Sequence, residues 1–206
     1  MSVAICIPSR DLVNIGFAKS LACLTARLTS QKIDYEILIN LGSVIPQLRN
    51  DLAKEALASG HEWLMWLDTD MHFPEDTVER LMFHNKAIVA AAYSTRFKPQ
   101  RSVAFTDKLN IDNRLSQSEG LHKAFAVGMG CMLVHKTVYE NLPKPWFAHQ
   151  WNEAEENFSG EDIYFCNLAN ENNISVYVDA DLSTELAHYG TKAFILQETQ
   201  DFVQTK

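Results

Sequence analysis

Positive charge is scarce in this chain: Lys and Arg number 18 against 26 Asp and Glu, for a formal net charge of −8. That balance excludes wholesale nucleic-acid binding through a basic surface, while an anionic nucleotide stays admissible if a metal mediates the contact. Long apolar runs are missing too, and none approaches the length that spans a bilayer. The start, Met1-Ser2-Val3-Ala4-Ile5, shows no basic n-region or cleavage site before a strand-like run begins. The cysteines Cys6, Cys23, Cys131 and Cys166 form no C-x-x-C pair, which argues against zinc and for free thiols in a reducing compartment. Repeats, low-complexity tracts and linkers are absent as well. Together these absences predict one cytoplasmic domain over 1–206, whose 47% apolar residues suffice for a substantial core.

What is present centres on Trp63-Leu64-Met65-Trp66-Leu67-Asp68-Thr69-Asp70. An apolar run without alternation predicts a strand buried on both faces, as in parallel sheets. Such a strand does not bury charge, so Asp68 and Asp70 are expected just past its C-terminal end, the edge where α/β sheets bind ligands. Side chains at i and i+2 on extended chain point the same way and could share a divalent cation. A solvated acidic turn explains an isolated Asp-x-Asp equally simply.

The remaining pattern alternates between strand and helix. Val3–Ile7 predicts a strand stopped by Pro8, then a polar turn Ser9-Arg10-Asp11 and a helix over Ile15–Leu28. Tyr35–Leu41 predicts the second strand. A helix entered at Ser43 and Pro46 stops at Gly60, and another opens at Pro74-Glu75-Asp76. Ala87–Tyr93 predicts a strand, and Thr95 to Leu121 a small antiparallel excursion or a loop. Ala124–His135 predicts a strand entered through Gly128 and Gly130, followed by a short helix over Lys136–Leu142. Phe147–Phe158 has no period and reads as a loop, Glu161–Asn172 as a helix, Ile174–Val178 as a strand. The alternation predicts an α/β fold with a mostly parallel twisted sheet.

Taken in order, these features make the chain resemble a glycosyltransferase of the GT-A type, close to the family 2-like group, over nearly its whole length. The resemblance rests on Ile7-Pro8-Ser9, the Arg49-Asn50 helix before Trp63–Asp70, Asp68-Thr69-Asp70, Gly128–Val134, Gly160-Glu161-Asp162, and His188 in Ala187-His188-Tyr189-Gly190. It implies a GT-A, Rossmann-like sheet with flanking helices. It also implies metal-dependent transfer of a sugar from a nucleotide sugar, with UDP the expected nucleotide, to a hydroxyl of an unidentified glycan or other acceptor. Mn²⁺ or Mg²⁺ is the implied cofactor. Two departures stand out. The second strand ends Ile39-Asn40-Leu41-Gly42-Ser43 where the family commonly has an acidic pair, so Asn40 is the remaining polar candidate for the base. The Gln-x-x-Arg-Trp signature of processive synthases is missing, which argues against a membrane synthase.

On this resemblance Asp70 and His188 bind the metal, and Asp68 contacts the ribose or a metal-bound water. Thr69 lies between them, and Pro8, Ser9, Arg10, Asp11, Asn40 and Arg49 are nucleotide candidates; surface solvation explains the charged ones equally well. Asp162, with Glu161, is implied as the acceptor base or an acceptor-holding group, although Ser159-Gly160-Glu161-Asp162 also fits a helix capping box. Gly128 and Gly130 either mark a bulge or let backbone approach the donor. Trp151 is either a core anchor or a platform for a sugar acceptor. An Asp-x-Asp phosphatase-like hydrolase, weakly imitated by Val178-Asp179-Ala180-Asp181, and a catalytically inert binding protein are the rival classes. A sugar nucleotidyltransferase expects a glycine-rich loop after the first strand, which Pro8-Ser9-Arg10-Asp11 does not supply.

Overall fold

The computed structural model describes residues 2–107, 113–116, 119–153, 156–190 and 193–195. The chain opens with β1 (Ser2–Ser9), α1 (Ile15–Ser30), β2 (Asp34–Leu41), α2 (Ile45–Ala58), β3 (Trp63–Leu67) and β4 (Met71–His72). It continues with α3 (Thr77–Phe83), β5 (Ile88–Ala90), β6 (Ala104–Phe105), β7 (Leu121–Ala124), β8 (Ala126–Val127), β9 (Cys131–His135) and α4 (Lys136–Asn141). Last come β10 (Gln150–Asn152), β11 (Asn157–Ser159), α5 (Glu161–Glu171), β12 (Val176–Asp179), α6 (Ala180–Ser183), β13 (Ala187–Tyr189) and β14 (Ala193–Ile195).

The central sheet has seven strands in the order β2-β1-β3-β9-β5-β12-β7. Parallel pairs join β1 to β2 and β3, and β12 to β5, whereas β9 and β7 run against their neighbours. The sheet is therefore mixed and mostly parallel. Successive residues of β1 feed opposite faces: Val3, Ile5 and Ile7 join one buried cluster, Ala4 and Cys6 the other. Met65 and Leu67 pack with the first set, Leu64 and Trp66 with the second, so both faces of β3 are covered. This explains its run without alternation. All four cysteines are free thiols.

Several boundaries differ from the sequence expectation for local reasons. β1 continues through Pro8 because β3 pairs with it only as far as Cys6, leaving one neighbour where the imino nitrogen falls. Ser43 is not the cap of α2; Val44 precedes it without a side-chain cap, and Pro46 sits in the first turn. Gly60 does stop that helix, at φ +84°. The expected strand over 87–93 shortens to β5. The expected glycine strand divides into β8, which pairs with β6 in a separate ribbon, and β9 in the main sheet. That ribbon, with a bridge between Ser94 and Ser102, is the antiparallel excursion. The expected loop over 147–158 contains a hairpin instead: β10 pairs with β11, and Trp151 opposes Phe158 with their rings edge to face at 5.1 Å.

Candidate functional site

Parallel strands put their C-terminal ends on one edge, and there the backbone locks Asp68-Thr69-Asp70 in place. The Asp68 amide donates to the Gly130 carbonyl (3.1 Å), the Asn14 amide to the Thr69 carbonyl (3.0 Å) and the Tyr189 amide to the Asp70 carbonyl (2.7 Å). The entry to β9, the cap of α1 and β13 thus each hold one residue. Asn14 itself caps α1 by accepting from the Gly16 amide (2.8 Å).

The three residues line a cavity of about 590 Å³ whose other walls include Pro8, Arg10, Asp11, Arg49 and Glu161. Of the expected first-loop, helix and late-helix candidates, Pro8, Arg10, Asp11, Arg49 and Glu161 thus share this cavity with the Asp pair. Ser9, Asn40, Gly128, Gly130, Trp151, Asp162 and His188 do not line this cavity. Asn40 pairs in register with Pro8 on the edge strand. Both glycines are buried beneath Tyr93, where a Cβ would collide with the phenol ring, and the Gly130 amide donates to its hydroxyl at 3.2 Å.

Arg49 is the charge hub. Its side chain is 2% exposed, yet its Nη2 donates to Asp68 Oδ1 at 2.7 Å and its Nε to Glu161 Oε1 at 3.1 Å. Burial disfavours the guanidinium charge, but the two carboxylates outweigh it and raise the pKa above the ordinary arginine value. Trp66 supports the guanidinium from one side, 5.5 Å from its ring centre, and is fixed by donating to the Tyr139 hydroxyl (2.7 Å).

Asp70 has a different environment. Its Oδ2 accepts from Arg96 Nη1 at 2.7 Å and lies 3.4 Å from His188 Nε2. His188 Nδ1 is 2.9 Å from the Ser94 carbonyl, which can only accept, so Nδ1 carries the proton. Nε2 then faces the Asp70 oxygen, where it either donates a second ring proton or offers its lone pair to a cation placed between the two groups. Burial raises the Asp70 pKa, but His188 and Arg96 together hold it below the usual carboxylate value.

The expected metal trio is not assembled as written. Among the described residues no group of three His, Cys, Asp or Glu side chains forms a cation cage, because Asp68 is drawn to Arg49. The two of the trio that lie side by side are Asp70 and His188, 3.4 Å apart. An oxygen and an imidazole nitrogen are a donor pair that could contribute to holding a divalent cation such as Mn²⁺. Arg96 was not foreseen, since nothing in Ser94-Thr95-Arg96 marks the loop as returning to the Asp pair.

At the start of α5 the capping box is not formed. Gly160 is the cap residue without a side-chain bond, Ser159 donates to the Gln150 carbonyl (3.1 Å), and Glu161 turns to Arg49. Asp162 Oδ1 accepts from the Ile163 amide at 2.8 Å. Burial, then the neighbouring Glu161, pushes the Asp162 carboxyl up to about 6. Asp179, the first acid of the phosphatase-like second pair, is instead engaged with His84 (2.8 Å) and the Leu182 amide (2.8 Å), away from Asp68.

Among known proteins, the Anp1 family model matches residues 30–124. No curated protein matches the sequence. Among solved structures, A197 from STIV superposes on 100% of this chain and 98% of its own, at a TM-score of 0.63 and 17% identity. Drosophila β1,4-galactosyltransferase 7, solved as a variant with manganese, UDP-Gal and xylobiose, covers 92% of this chain and 71% of its own, at a TM-score of 0.52 and 12% identity. These likenesses show the fold. It is an α/β fold of the GT-A glycosyltransferase kind. Among the described residues no helix is long and apolar enough to cross a membrane.

Proposed function

We propose that residues 1–206 form one glycosyltransferase domain that moves a sugar from a nucleotide-sugar donor, with UDP as the nucleotide, to a hydroxyl acceptor. The observation that carries this reading is the juxtaposition of Asp70 and His188 at 3.4 Å, beside a cavity large enough for a nucleotide diphosphate. Asp70 and His188 would hold the divalent cation, and that cation supplies positive charge to the departing diphosphate. Arg96 must release Asp70 for this, and its guanidinium is then free to meet phosphate oxygens. Arg49 holds Asp68 and Glu161 at fixed positions, so Asp68 can present its second oxygen to the ribose. Arg10 and Asp11, which line the same cavity, would meet the nucleotide.

Asp162 takes the acceptor proton as the acceptor oxygen bonds to the anomeric carbon and the bond to the diphosphate breaks. A carboxyl whose pKa is raised to about 6 suits a base that must hold a proton and then give it up near neutrality. An acceptor attacking from the face opposite the diphosphate inverts the anomeric centre. The test is calorimetry of UDP with and without Mn²⁺, followed by UDP release from UDP-sugars. Binding and turnover are expected with Mn²⁺ and lost in EDTA. Full turnover in EDTA would sink the cation reading, and tighter GDP than UDP binding would overturn the choice of base.

A further inference from the structure

The two edges of the central sheet are built differently. At one end β7 has four residues and carries His122 and Lys123, so that edge is short and polar. At the other end β2 has eight residues and pairs with β1 without interruption over all of them. Short length, lysine, proline and bulges keep an edge strand from pairing with another chain, and β2 has none of them. Its only charges, Asp34 and Glu36, lie within its first three residues. Among the described residues no strand pairs with its outer side.

The backbone directions of β2 follow from one bond. Ser9 pairs in register with Leu41, and its carbonyl accepts from the Gly42 amide at 2.9 Å. Peptide directions alternate along a strand, so Glu36, Leu38 and Asn40 address β1, while Tyr35, Ile37, Ile39 and Leu41 turn their amides and carbonyls to the free edge. Side chains alternate as well. Ile37 and Ile39 stand on the α1 face, where with Val13, Phe17 and Leu21 they line an apolar groove of about 360 Å³. Ile39 is 58% and Leu41 64% exposed, and Val13 on the groove wall is exposed too. An unpaired backbone edge and an apolar patch, both open on the same residues, mark an interaction surface.

We propose that β2 pairs with β2 of a second copy of this chain, antiparallel, about a twofold axis at Leu38. This register sets Ile37 opposite the second copy's Ile39, and Tyr35 opposite its Leu41, as the hydrogen-bonded pairs, so every residue of β2 with a free amide is used. It sets Glu36 opposite Asn40 and Asp34 opposite Gly42, so no like charges face each other. An axis at Ile37 or Ile39 leaves Leu41 or Tyr35 opposite a residue outside β2, and one at Glu36 opposes two carboxylates. The twofold contact is self-complementary and closed, so it consumes the edge instead of propagating it. Val13 lines both the groove and the donor cavity, and the copies therefore meet beside the loop that carries Arg10 and Asp11. No part of this rests on the transferase reading.

Sedimentation of the full chain, up to the highest concentration that stays soluble, is the test. A reversible dimer of twice 23.3 kDa is expected. Ile37→Lys and Ile39→Glu, both at exposed positions, should each weaken it about tenfold or more. Mixed in equal amounts the two variants should regain the dimer, because position 37 of one faces position 39 of the other and the introduced charges attract. A parent that stays monomeric overturns the proposal. Its hydrogen exchange then tells why: protected amides at Tyr35, Ile37, Ile39 and Leu41 mean that another segment of this chain covers the edge, and freely exchanging ones that nothing does. A dimer that neither substitution weakens, or a mixture no tighter than the separate variants, overturns the register and the interface with it. Should either variant fail to fold, exchange in dilute and concentrated parent still decides, since protection of those four amides must rise as the dimer forms.

Discussion

Arg49 carries a charge where water cannot solvate it, and its two partners arrive from sequence separations of 19 and 112 residues. That long-range pairing is why the residue looked like a nucleotide contact or a solvated helix position in the sequence. Replacing it with Met leaves Asp68 and Glu161 facing each other without a cation. Breaking a buried pair from one side costs about 3–5 kcal/mol, and the partial exposure of both carboxylates argues for about 3. At about 2–4 °C per kcal/mol for a chain of this size, Arg49→Met should melt roughly 6–12 °C lower at pH 7. An Arg49→Met protein that melts at the temperature of the parent would remove the electrostatic explanation. Asp162 has the opposite sign. Its pKa is raised in the folded protein to about 6 from a usual 3.8, so the native state holds a proton that the unfolded chain has released. Stability is therefore lost as pH rises through that window. Asp162→Asn removes the penalty: it should melt higher than the parent at pH 7.5, match it near pH 3.5, and lose sugar transfer. An equal melting temperature at both pH values would show that the carboxyl is not strained by burial.

The elements that place these residues were legible where one physical signal dominated. β3 announced itself because burial on both faces erases alternation, and α2 because Pro46 and Gly60 bracket its stripe. The direction of β9 was not legible, since apolar periodicity is the same for parallel and antiparallel neighbours. The hairpin of β10 and β11 escaped because its cross-strand pair, Trp151 with Phe158, lies among polar residues without alternation. The two glycines before β9 were expected either to mark a bulge or to let backbone approach the donor, and the group packed against them is Tyr93. A Cβ at position 128 would strike the buried Tyr93 hydroxyl, and the Gly130 amide bonds the same oxygen. Overpacking of this kind costs about 1–3 kcal/mol. Gly128→Ala should therefore lower the melting temperature, and adding Tyr93→Phe, which deletes the nearest atom, should recover part of the loss. If the double variant is simply the sum of the singles, the phenol is not what demands glycine there.

At the scale of the whole molecule, parallel pairing collects the ends of β1, β3 and β5 and the start of the antiparallel β9 on one sheet edge, and α5 stands between two cavities there. The edge was predictable from the Asp pair alone, because charges cannot stay inside a strand buried on both faces. The second cavity was not, because it is walled by β6, β8, α5 and the hairpin, segments that meet only through tertiary packing. Since no residue lines both cavities, a change in the wall of the second should leave binding at the donor cavity unchanged. Ligand that binds only the native state stabilises it by about 2.7 kcal/mol at a hundredfold excess over Kd, which is roughly 5–11 °C here. UDP with Mn²⁺ should therefore raise the melting temperature of the parent by that amount. Trp151→Ala should show the same rise, because its ring belongs to the other cleft. Asp70→Ala should lose the rise while keeping the unliganded melting temperature near that of the parent, since Asp70 lies beyond the strand and anchors the loop through its backbone carbonyl. A Trp151→Ala protein that no longer responds to UDP and Mn²⁺ would mean that the hairpin closes over the donor, and the independence of the two cavities would be wrong.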